Sequence, residues 1–314
     1  MPLRDRLAAF PTPAAGLALG LASLAALWQA EFPAAVGVRA AGALAAGAIV
    51  LAVIAKFLAH PRILMTELAH PVVGSVIPTL AMATMVISAS TGPLHTPLWL
   101  AAVAAHIGFF TVFVVHRARD PQLSHMVPSW FVPPIGIVVA VLTVPGEPWR
   151  PLADACLWFG IAAYAAMLPM MLHRLIFRDT IAPPARPTIA IMAAPPNLCL
   201  AGYLSFVAEP NLLTVVVLLG LGILMAIVVY IGFSELLRLP FSPGYAAFTF
   251  PTVIAANASF KAARYFEQAG LAPDAVAPLR HWATMELLIA TVVVAYVAAR
   301  YLGHYAATRR VVAA

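Results

Sequence analysis

The stretch GYAAFTFPTVIAANASF, residues 244–260, is apolar enough to lie in a membrane, yet Pro251 follows Phe250 directly in its middle. A proline inside a helix removes a backbone hydrogen bond and bends the helix axis. Within a membrane such a bend survives where neighbouring protein or water satisfies the freed carbonyl groups. The stretch therefore predicts a bent helix that lies beside other protein segments or water.

The composition of the whole chain predicts an all-α integral membrane protein. Of its 314 residues, 63% are hydrophobic and 10% are charged, whereas a soluble domain is about half apolar and about a quarter charged. Long apolar runs without a period of two favour helices over a barrel. The net charge of +6 comes from basic residues between the apolar runs, so no nucleic-acid partner is expected. We expect a single transmembrane domain over residues 1–314.

Apolar runs long enough to cross a bilayer predict ten transmembrane helices. An even number of spans places both termini on one side of the membrane. With the termini in the cytoplasm, 13 of the 18 Lys and Arg residues, including Arg309 and Arg310, lie on the cytoplasmic side, as the positive-inside rule requires. The expected location is the inner, or plasma, membrane of the cell. The predicted spans are 13–30, 36–58, 71–90, 97–116, 128–145, 151–172, 188–207, 211–234, 243–266 and 280–302.

A repeat of prolines divides the ten spans into pairs. The odd-numbered spans open at separations of 58, 57, 59 and 56 residues, on Pro13, Pro71, Pro128, Pro187 and Pro243. Further prolines follow inside four of those spans, at Pro78, at Pro133 and Pro134, at Pro195 and Pro196, and at Pro251. Self-similarity at a fixed period indicates a repeated structural unit. The repeat predicts five helical hairpins, with bent odd helices in an inner ring and even helices facing lipid.

The inner ring is predicted to favour anions. Odd helices that all begin at the cytoplasmic face surround one mouth with the positive ends of their dipoles. No Asp or Glu lies within the odd spans, and a path without buried carboxylates is unfavourable for cations. Small and polar residues of these spans are candidates for lining the pore, or alternatively for packing the helices together. They are Gly16, Gly20, Ser75, Thr79, Gly136, Asn197, Thr249 and Asn257.

The sequence carries no motif that indicates an enzyme, a metal centre or a cofactor. Its nine histidines never come within four residues of one another, the spacing at which two would share a helix face as ligands. The glycine patterns of nucleotide sites and the nucleophile elbow of serine hydrolases are also missing. We therefore expect a non-enzymatic protein without a metal or a cofactor.

Glu286 lies about two turns inside the tenth predicted span. A carboxyl group within a membrane is by default a functional candidate, and Glu286 is the residue that would couple transport to protons. The alternative is a structural ion pair with Arg280, Lys261 or Arg264. The ion pair is the simpler interpretation, because the tenth span is an outer helix in this arrangement, but the sequence leaves both open.

Three stretches of the chain resemble the tellurite-resistance and four-carbon dicarboxylate transporter family, which includes the plant slow-type anion channels. They are HPVVGSVIPTLAMATMVIS at 70–88, PTIAIMAAPPNLCLAGYLSF at 187–206 and YAAFTFP at 245–251. The likeness runs from about Phe10 to Tyr301, nearly the whole chain. The resemblance implies five helical hairpins with quasi-five-fold symmetry around a central anion pore. It also implies a homotrimer with one pore in each subunit.

The same resemblance implies a gate. In that family a phenylalanine of the ninth helix, followed by proline or glycine, plugs the pore. The stretch Phe248-Thr249-Phe250-Pro251 matches this setting, with Thr where the family has Ser. Phe250 is therefore the implied gate and Pro251 the implied kink beside it, since an apolar plug blocks ions by excluding their water. The implied solutes are small inorganic or organic anions; a proton-coupled carrier of dicarboxylates, sulfite or tellurite is the alternative.

Overall fold

The computed structural model describes residues 3–313, with the side chains of residues 4–305. Every regular element in this part of the chain is helical, which confirms the all-α prediction. The side chains of Arg309 and Arg310 lie outside the described residues. The α-helices are α1 (Leu3–Ala8), α2 (Ala14–Glu31), α3 (Val38–Ala59), α4 (Pro61–Ala69), α5 (Val73–Val76), α6 (Thr79–Ser88), α7 (His95–Arg119), α8 (Val132–Ile135), α9 (Val139–Leu142), α10 (Arg150–Phe177), α11 (Ala194–Phe206), α12 (Leu212–Leu236), α13 (Thr249–Gln268) and α14 (Pro273–Ala313).

The even-numbered predicted spans are long, continuous helices. They are α3, α7, α10, α12 and α14, which run for 22, 25, 28, 25 and 41 residues. Helix α14 begins at Pro273, earlier than the predicted residue 280. Large apolar side chains are exposed along these helices, such as Leu51 of α3 and Ile231 of α12. An exposed apolar surface of this kind suits contact with lipid.

The odd-numbered spans after the first are interrupted helices. Two of them begin with 3-10 helices of 11 and 6 residues, at Pro183–Ala193 and Pro243–Phe248. Residues 128–142 alternate between 3-10 and α geometry. Because 3-10 helices have poor hydrogen-bond geometry and rarely exceed four residues, the surrounding protein must hold these segments in place.

The inner prolines lie where α-helices begin. Pro251 is the third residue of α13, Pro195 the second of α11, and Pro133 the second of α8, while Pro78 directly precedes α6. A proline in the first turn costs no hydrogen bond, because its missing N–H would be unpaired in any case. Pro251, where a kink is predicted, thus lies two residues after the point at which the 3-10 helix gives way to α13. The geometry changes at Thr249, and Pro251 belongs to the start of the helix that follows.

Seven described helices are long and apolar enough to cross a membrane. The number is eight if the pair Pro61–Ala69 and Val73–Ser88, which meet at 106°, is one span. The segment Pro128–Leu142 is a shorter apolar helix. The protein is therefore a multi-pass membrane protein. Length and apolarity alone support seven or eight spans among the described residues, fewer than the ten predicted.

The continuous helix α2 and the four interrupted segments contact one another in a closed cycle. Helix α2 packs against α6, α6 against α9, α9 against α11, α11 against α13, and α13 against α2 again. Each long outer helix packs against the interrupted segment before it and against the next one along the cycle. The interrupted segments are also more buried than the outer helices. In the most apolar 18 residues of segment 183–206, 78% of the residues are buried, compared with 28% in the corresponding stretch of α3. The cycle encloses the site described next.

Candidate functional site

A cavity of about 560 Å³ lies at the centre of the cycle. Its walls come mainly from the N-terminal parts of α2 and of the interrupted segments and from the chain just before α2, and Lys56 of α3, Glu67 of α4 and Tyr305 of α14 complete them. The five segments therefore begin at the same end of the molecule, where the cavity lies. The wall positions nearest these beginnings include Pro13, Val73, Phe131, Pro184 and Ser242.

Apolar residues line the other end of the cavity. On each segment, the lining residue farthest along the chain belongs to this apolar end; these residues are Leu19, Met82, Gly136, Leu198 and Pro251. All five are buried. An ion that passed them would have to keep or replace its hydration shell.

Phe250 lies in the wall at this apolar end, and 7% of its surface is exposed. Phe248, two residues earlier, is fully buried away from the cavity. Its ring packs against Tyr245 and Phe233, with centroids 4.9 and 5.5 Å apart. The two phenylalanines of the FTFP stretch therefore have different surroundings, one on the cavity and one in the core.

Three of the sequence-predicted lining residues are on the cavity wall: Gly16, Thr79 and Gly136. The Thr79 hydroxyl donates to the Val76 carbonyl at 2.7 Å. A Cβ atom on Gly136 would lie 2.6 Å from the sulfur of Met82. A side chain at Gly136 would therefore displace the flexible end of Met82 at the apolar end of the cavity.

The other five predicted lining residues lie outside the cavity wall, and most of them join neighbouring segments. Thr249 donates to the Gly16 carbonyl at 3.0 Å, and a Cβ atom on Gly20 would collide with Thr249. The hydroxyl groups of Ser75 and Ser129 are 2.6 Å apart. The remaining two are Asn197, whose amide donates to the Ala193 and Gly222 carbonyls, and Asn257, which is half-buried farther along α13.

A charged pair on the cavity wall was missed by the sequence analysis. Lys56 is 3% exposed, and its ammonium group donates to Glu67 at 2.7 Å, to the Thr12 hydroxyl at 2.8 Å and to the Phe10 carbonyl at 3.0 Å. The pair ties the chain before α2 to α3 and α4. The available signal was the position of Lys56 inside the apolar run VLAVIAKFLA, because an intramembrane cation requires a partner.

Helix orientation gives the cavity a positive potential. Helices α2, α6, α11 and α13, of 10 to 20 residues, all begin at its wall. The N-terminal end of a helix carries a partial positive charge. Among the lining residues, the basic side chain of Lys56 and the acidic side chain of Glu67 neutralise each other. The helix ends therefore dominate the field inside the cavity.

Glu286 lies away from the cavity, between α12, α13 and α14, and is 1% exposed. Its carboxylate accepts a hydrogen bond from Ser259 at 2.6 Å, and Tyr230 and Trp282 approach it. Of the two alternatives for Glu286, the ion pair is not formed among the described residues: Arg280 pairs with Glu267 and Arg264 with Glu31, and Lys261 forms no ion pair with Glu286.

The fold and the cavity together define a helical, multi-pass membrane protein with an apolar-walled central cavity of positive potential. The model of the voltage-dependent anion channel family matches residues 9–302. The chain belongs to this family, which confirms the resemblance seen in the sequence. Among the described residues, no group of three or more His, Cys, Asp or Glu is placed to hold a metal ion.

Two curated proteins of Methanocaldococcus jannaschii are similar to the chain. The uncharacterized transporter MJ0762 is 26% identical over 227 residues, which cover 63% of this chain and 66% of that protein. The uncharacterized transporter MJ0576 is 25% identical over 216 residues, which cover 60% of this chain and 62% of that protein. The chain thus matches slightly less than two thirds of the length of each relative.

Proposed function

We propose that this protein is an anion channel or transporter whose path runs through the central cavity and is closed by Phe250. The observation that carries the proposal is the position of Phe250 at the apolar end of a cavity surrounded by helix N-termini. Family membership and the two relatives named as transporters support it. Small inorganic or organic anions are the proposed solutes, and the role is transport rather than catalysis.

The proposed architecture has ten spans, arranged as five hairpins with quasi-five-fold symmetry. The closed cycle of interrupted segments, each followed by one long outer helix, supports this arrangement. In it, α5 with α6, residues 128–142 and α13 cross the membrane together with the longer helices. We further propose a homotrimer with one pore in each subunit, located in the inner membrane with both termini in the cytoplasm.

Weak binding of the anion follows from the prolines of the cavity wall. Conduction requires a site that attracts an ion but also releases it. Pro195 and Pro251 lie in the first turns of α11 and α13, where any other residue would carry an N–H donor. Their rings remove those donors, while the helix dipoles remain. The anion is therefore drawn by a diffuse positive field and is not held by many direct hydrogen bonds.

Anion flux into proteoliposomes tests the proposed gate. Phe250→Ala removes the apolar plug, so the flux of chloride or nitrate should rise at least about tenfold, a barrier change of about 1.4 kcal/mol. Phe248→Ala is the matched control, because it removes the same ring from the core instead of the cavity. This control should lower the melting temperature without raising the flux. Unchanged flux in folded Phe250→Ala protein would contradict the gate.

A proton-coupled carrier of dicarboxylates, sulfite or tellurite is the second candidate function, and Glu286 favours it. This carboxyl group is buried without a basic partner among the described residues and contacts Ser259 of α13, the helix that carries Phe250. A carboxyl group in this setting is a candidate for carrying a proton through a membrane protein. A proton taken up at Glu286 would change a contact made by the gate-bearing helix.

An imposed pH gradient separates the two candidates. If the protein is a coupled carrier, the gradient should drive uptake of malate or sulfite, and Glu286→Gln should abolish that dependence. If it is a channel, flux should follow the electrochemical gradient of the anion in both proteins. Comparing chloride, nitrate, sulfite, malate and tellurite in the same vesicles identifies the preferred solute.

A further inference from the structure

A second hollow lies on the outside of the helix cycle. It has a volume of about 350 Å³ and is a groove between α7 and α10, floored by Trp130 and Pro134 of the inner segment 128–142. The groove is separate from the central cavity, with which it shares no lining residue. None of the residues proposed for transport lies in it.

The walls of the groove are two apolar stripes at helical spacing. On α7 the stripe includes Phe110, Phe113 and Val114, and on α10 it includes Phe159 and Met167. Residues 110–118 of α7 and 159–167 of α10 line the groove, and at 1.5 Å per residue each stripe is about 12 Å long. Its elongated apolar shape suits an alkyl chain that lies along the two helices.

Arg117 of α7 also lines the groove, toward its C-terminal end on that helix. Its Nη2 atom donates to the Ala69 carbonyl at 2.6 Å, and its guanidinium lies 5.9 Å from the centre of the Phe113 ring. Its Nε and Nη1 atoms are buried and have no hydrogen-bond partner within the part of the chain that the structure describes. Unpaired donors of a buried cation are costly, so this arginine requires an anionic acceptor.

An acidic partner in the protein does not meet this requirement. The ion pairs among the described residues leave Arg117 without a carboxylate. Arg117 lies beside an apolar groove on helices whose outer faces suit lipid, and this groove offers a surface for an acyl chain next to the positive charge. Basic pockets between transmembrane helices on the cytoplasmic side are suited to anionic lipid headgroups.

We propose that this groove binds an anionic phospholipid, with one acyl chain between α7 and α10 and the phosphate group on Arg117. Arg117 lines the groove and has no carboxylate partner among the described residues, so its positive charge attracts the phosphate. The aromatic rings of Phe110 and Phe159, whose centroids are 5.5 Å apart, close the inner end across the two helices. The bound lipid would thereby join two outer helices that make few contacts of their own.

Native mass spectrometry of the full-length protein with added phosphatidylglycerol or phosphatidylcholine tests the site. The wild-type protein should retain phosphatidylglycerol in preference to phosphatidylcholine. Arg117→Gln should weaken phosphatidylglycerol binding about tenfold, the effect of losing a charge-assisted hydrogen bond, and should remove the preference. Arg119→Gln is the matched control, because Arg119 is exposed at the end of the same helix and does not line the groove.

A second variant leaves Arg117 intact and fills the groove instead. Ala163→Phe should reduce the binding of both lipids, whereas Ala166→Phe, on an exposed position of the same helix outside the groove, should change neither. Equal lipid binding by wild-type, Arg117→Gln and Ala163→Phe proteins would overturn the proposal. So would dissociation of the oligomer by Ala163→Phe with lipid binding unchanged, since a second copy of the chain would then occupy the groove. Neither result bears on the proposed transport function.

Discussion

Glu67, which is partly exposed, and Glu286, which is buried, both lie at contacts between helices, but only Glu67 has a counter-charge. Glu67 lies at the wall of the central cavity, 2.7 Å from the ammonium group of Lys56. Glu286 lies between α12, α13 and α14, where Ser259 donates to it at 2.6 Å. Among the described residues, no Lys or Arg forms an ion pair with Glu286.

The difference concerns what holds each charge in place. A buried ion pair holds its place because removal of either partner leaves the other uncompensated, at a cost of about 3–5 kcal/mol. A buried carboxyl group without a cation has no such hold, and an apolar or amide side chain would serve the fold at least as well. The pair of Glu67 with Lys56 therefore fits a structural role at the cavity wall, and the unpaired Glu286 is the residue that the proposed proton coupling would use.

The largest effect is expected from Lys56→Met. The substitution keeps an unbranched chain of similar length but removes three hydrogen bonds, to Glu67, to Thr12 and to the carbonyl of Phe10. It should lower the free energy of unfolding by about 3 kcal/mol, as expected when one partner of a buried pair is lost. Thermal unfolding of the purified protein in detergent measures this as a lower melting temperature.

The double variant Lys56→Met, Glu67→Gln is the control for that loss. Because it removes both charges, it should be more stable than the sum of the two single variants predicts. Strict additivity would show that the two residues do not interact in the membrane protein. In that case Glu67 would not be stabilised by an ion pair, and it would no longer differ from Glu286 in this respect.

Replacing each glutamate by glutamine compares the two residues directly, with a smaller expected loss of stability than for Lys56→Met. Glu67→Gln leaves the buried Lys56 without its counter-charge and should cost about 2 kcal/mol, in the range for hydrogen bonds to charged groups. Glu286→Gln keeps an acceptor for Ser259 and removes no ion pair, so its effect should stay within about 0.5 kcal/mol. The difference between the two melting temperatures at neutral pH is the measured quantity. Equal losses would indicate that Glu286 has a basic partner after all.

The helical class and the positions of the interrupted segments could be predicted from the sequence, because prolines and long apolar runs act on the local backbone. Spacing of the prolines located the interrupted segments, and the FTFP stretch located Phe250 at the cavity. The sequence did not reveal that Pro251 begins a helix, since a proline is equally compatible with a kink and with a first turn. That choice depends on the 3-10 geometry of residues 243–248, which the neighbouring segments impose.

The pairing of buried polar residues was beyond the sequence for a different reason. Lys56 and Glu67 are eleven residues apart on helices separated by a turn, so no fixed helical spacing predicts their contact. The partner of Glu286 depends on the rotation of α14 against α13. A change of one residue in that register would bring a different side chain to Ser259. Long-range packing decides both contacts, and a single sequence does not encode it in a readable pattern.

Effects smaller than that of Glu67→Gln are expected around Glu286, from Ser259→Ala and Tyr230→Phe. Ser259→Ala removes the hydroxyl that donates to the carboxylate and should cost about 1 kcal/mol. The buried Tyr230 hydroxyl has no partner with hydrogen-bond geometry among the described residues, so Tyr230→Phe should change stability by less than about 0.5 kcal/mol. Melting temperatures of the two variants, measured beside the wild-type protein, check the order. If Tyr230→Phe costs as much as Ser259→Ala, the tyrosine also donates to Glu286. The carboxyl group would then be held by a network of hydrogen bonds. Glu67 and Glu286 would differ only in the charge of their partners, which are cationic for Glu67 and neutral for Glu286.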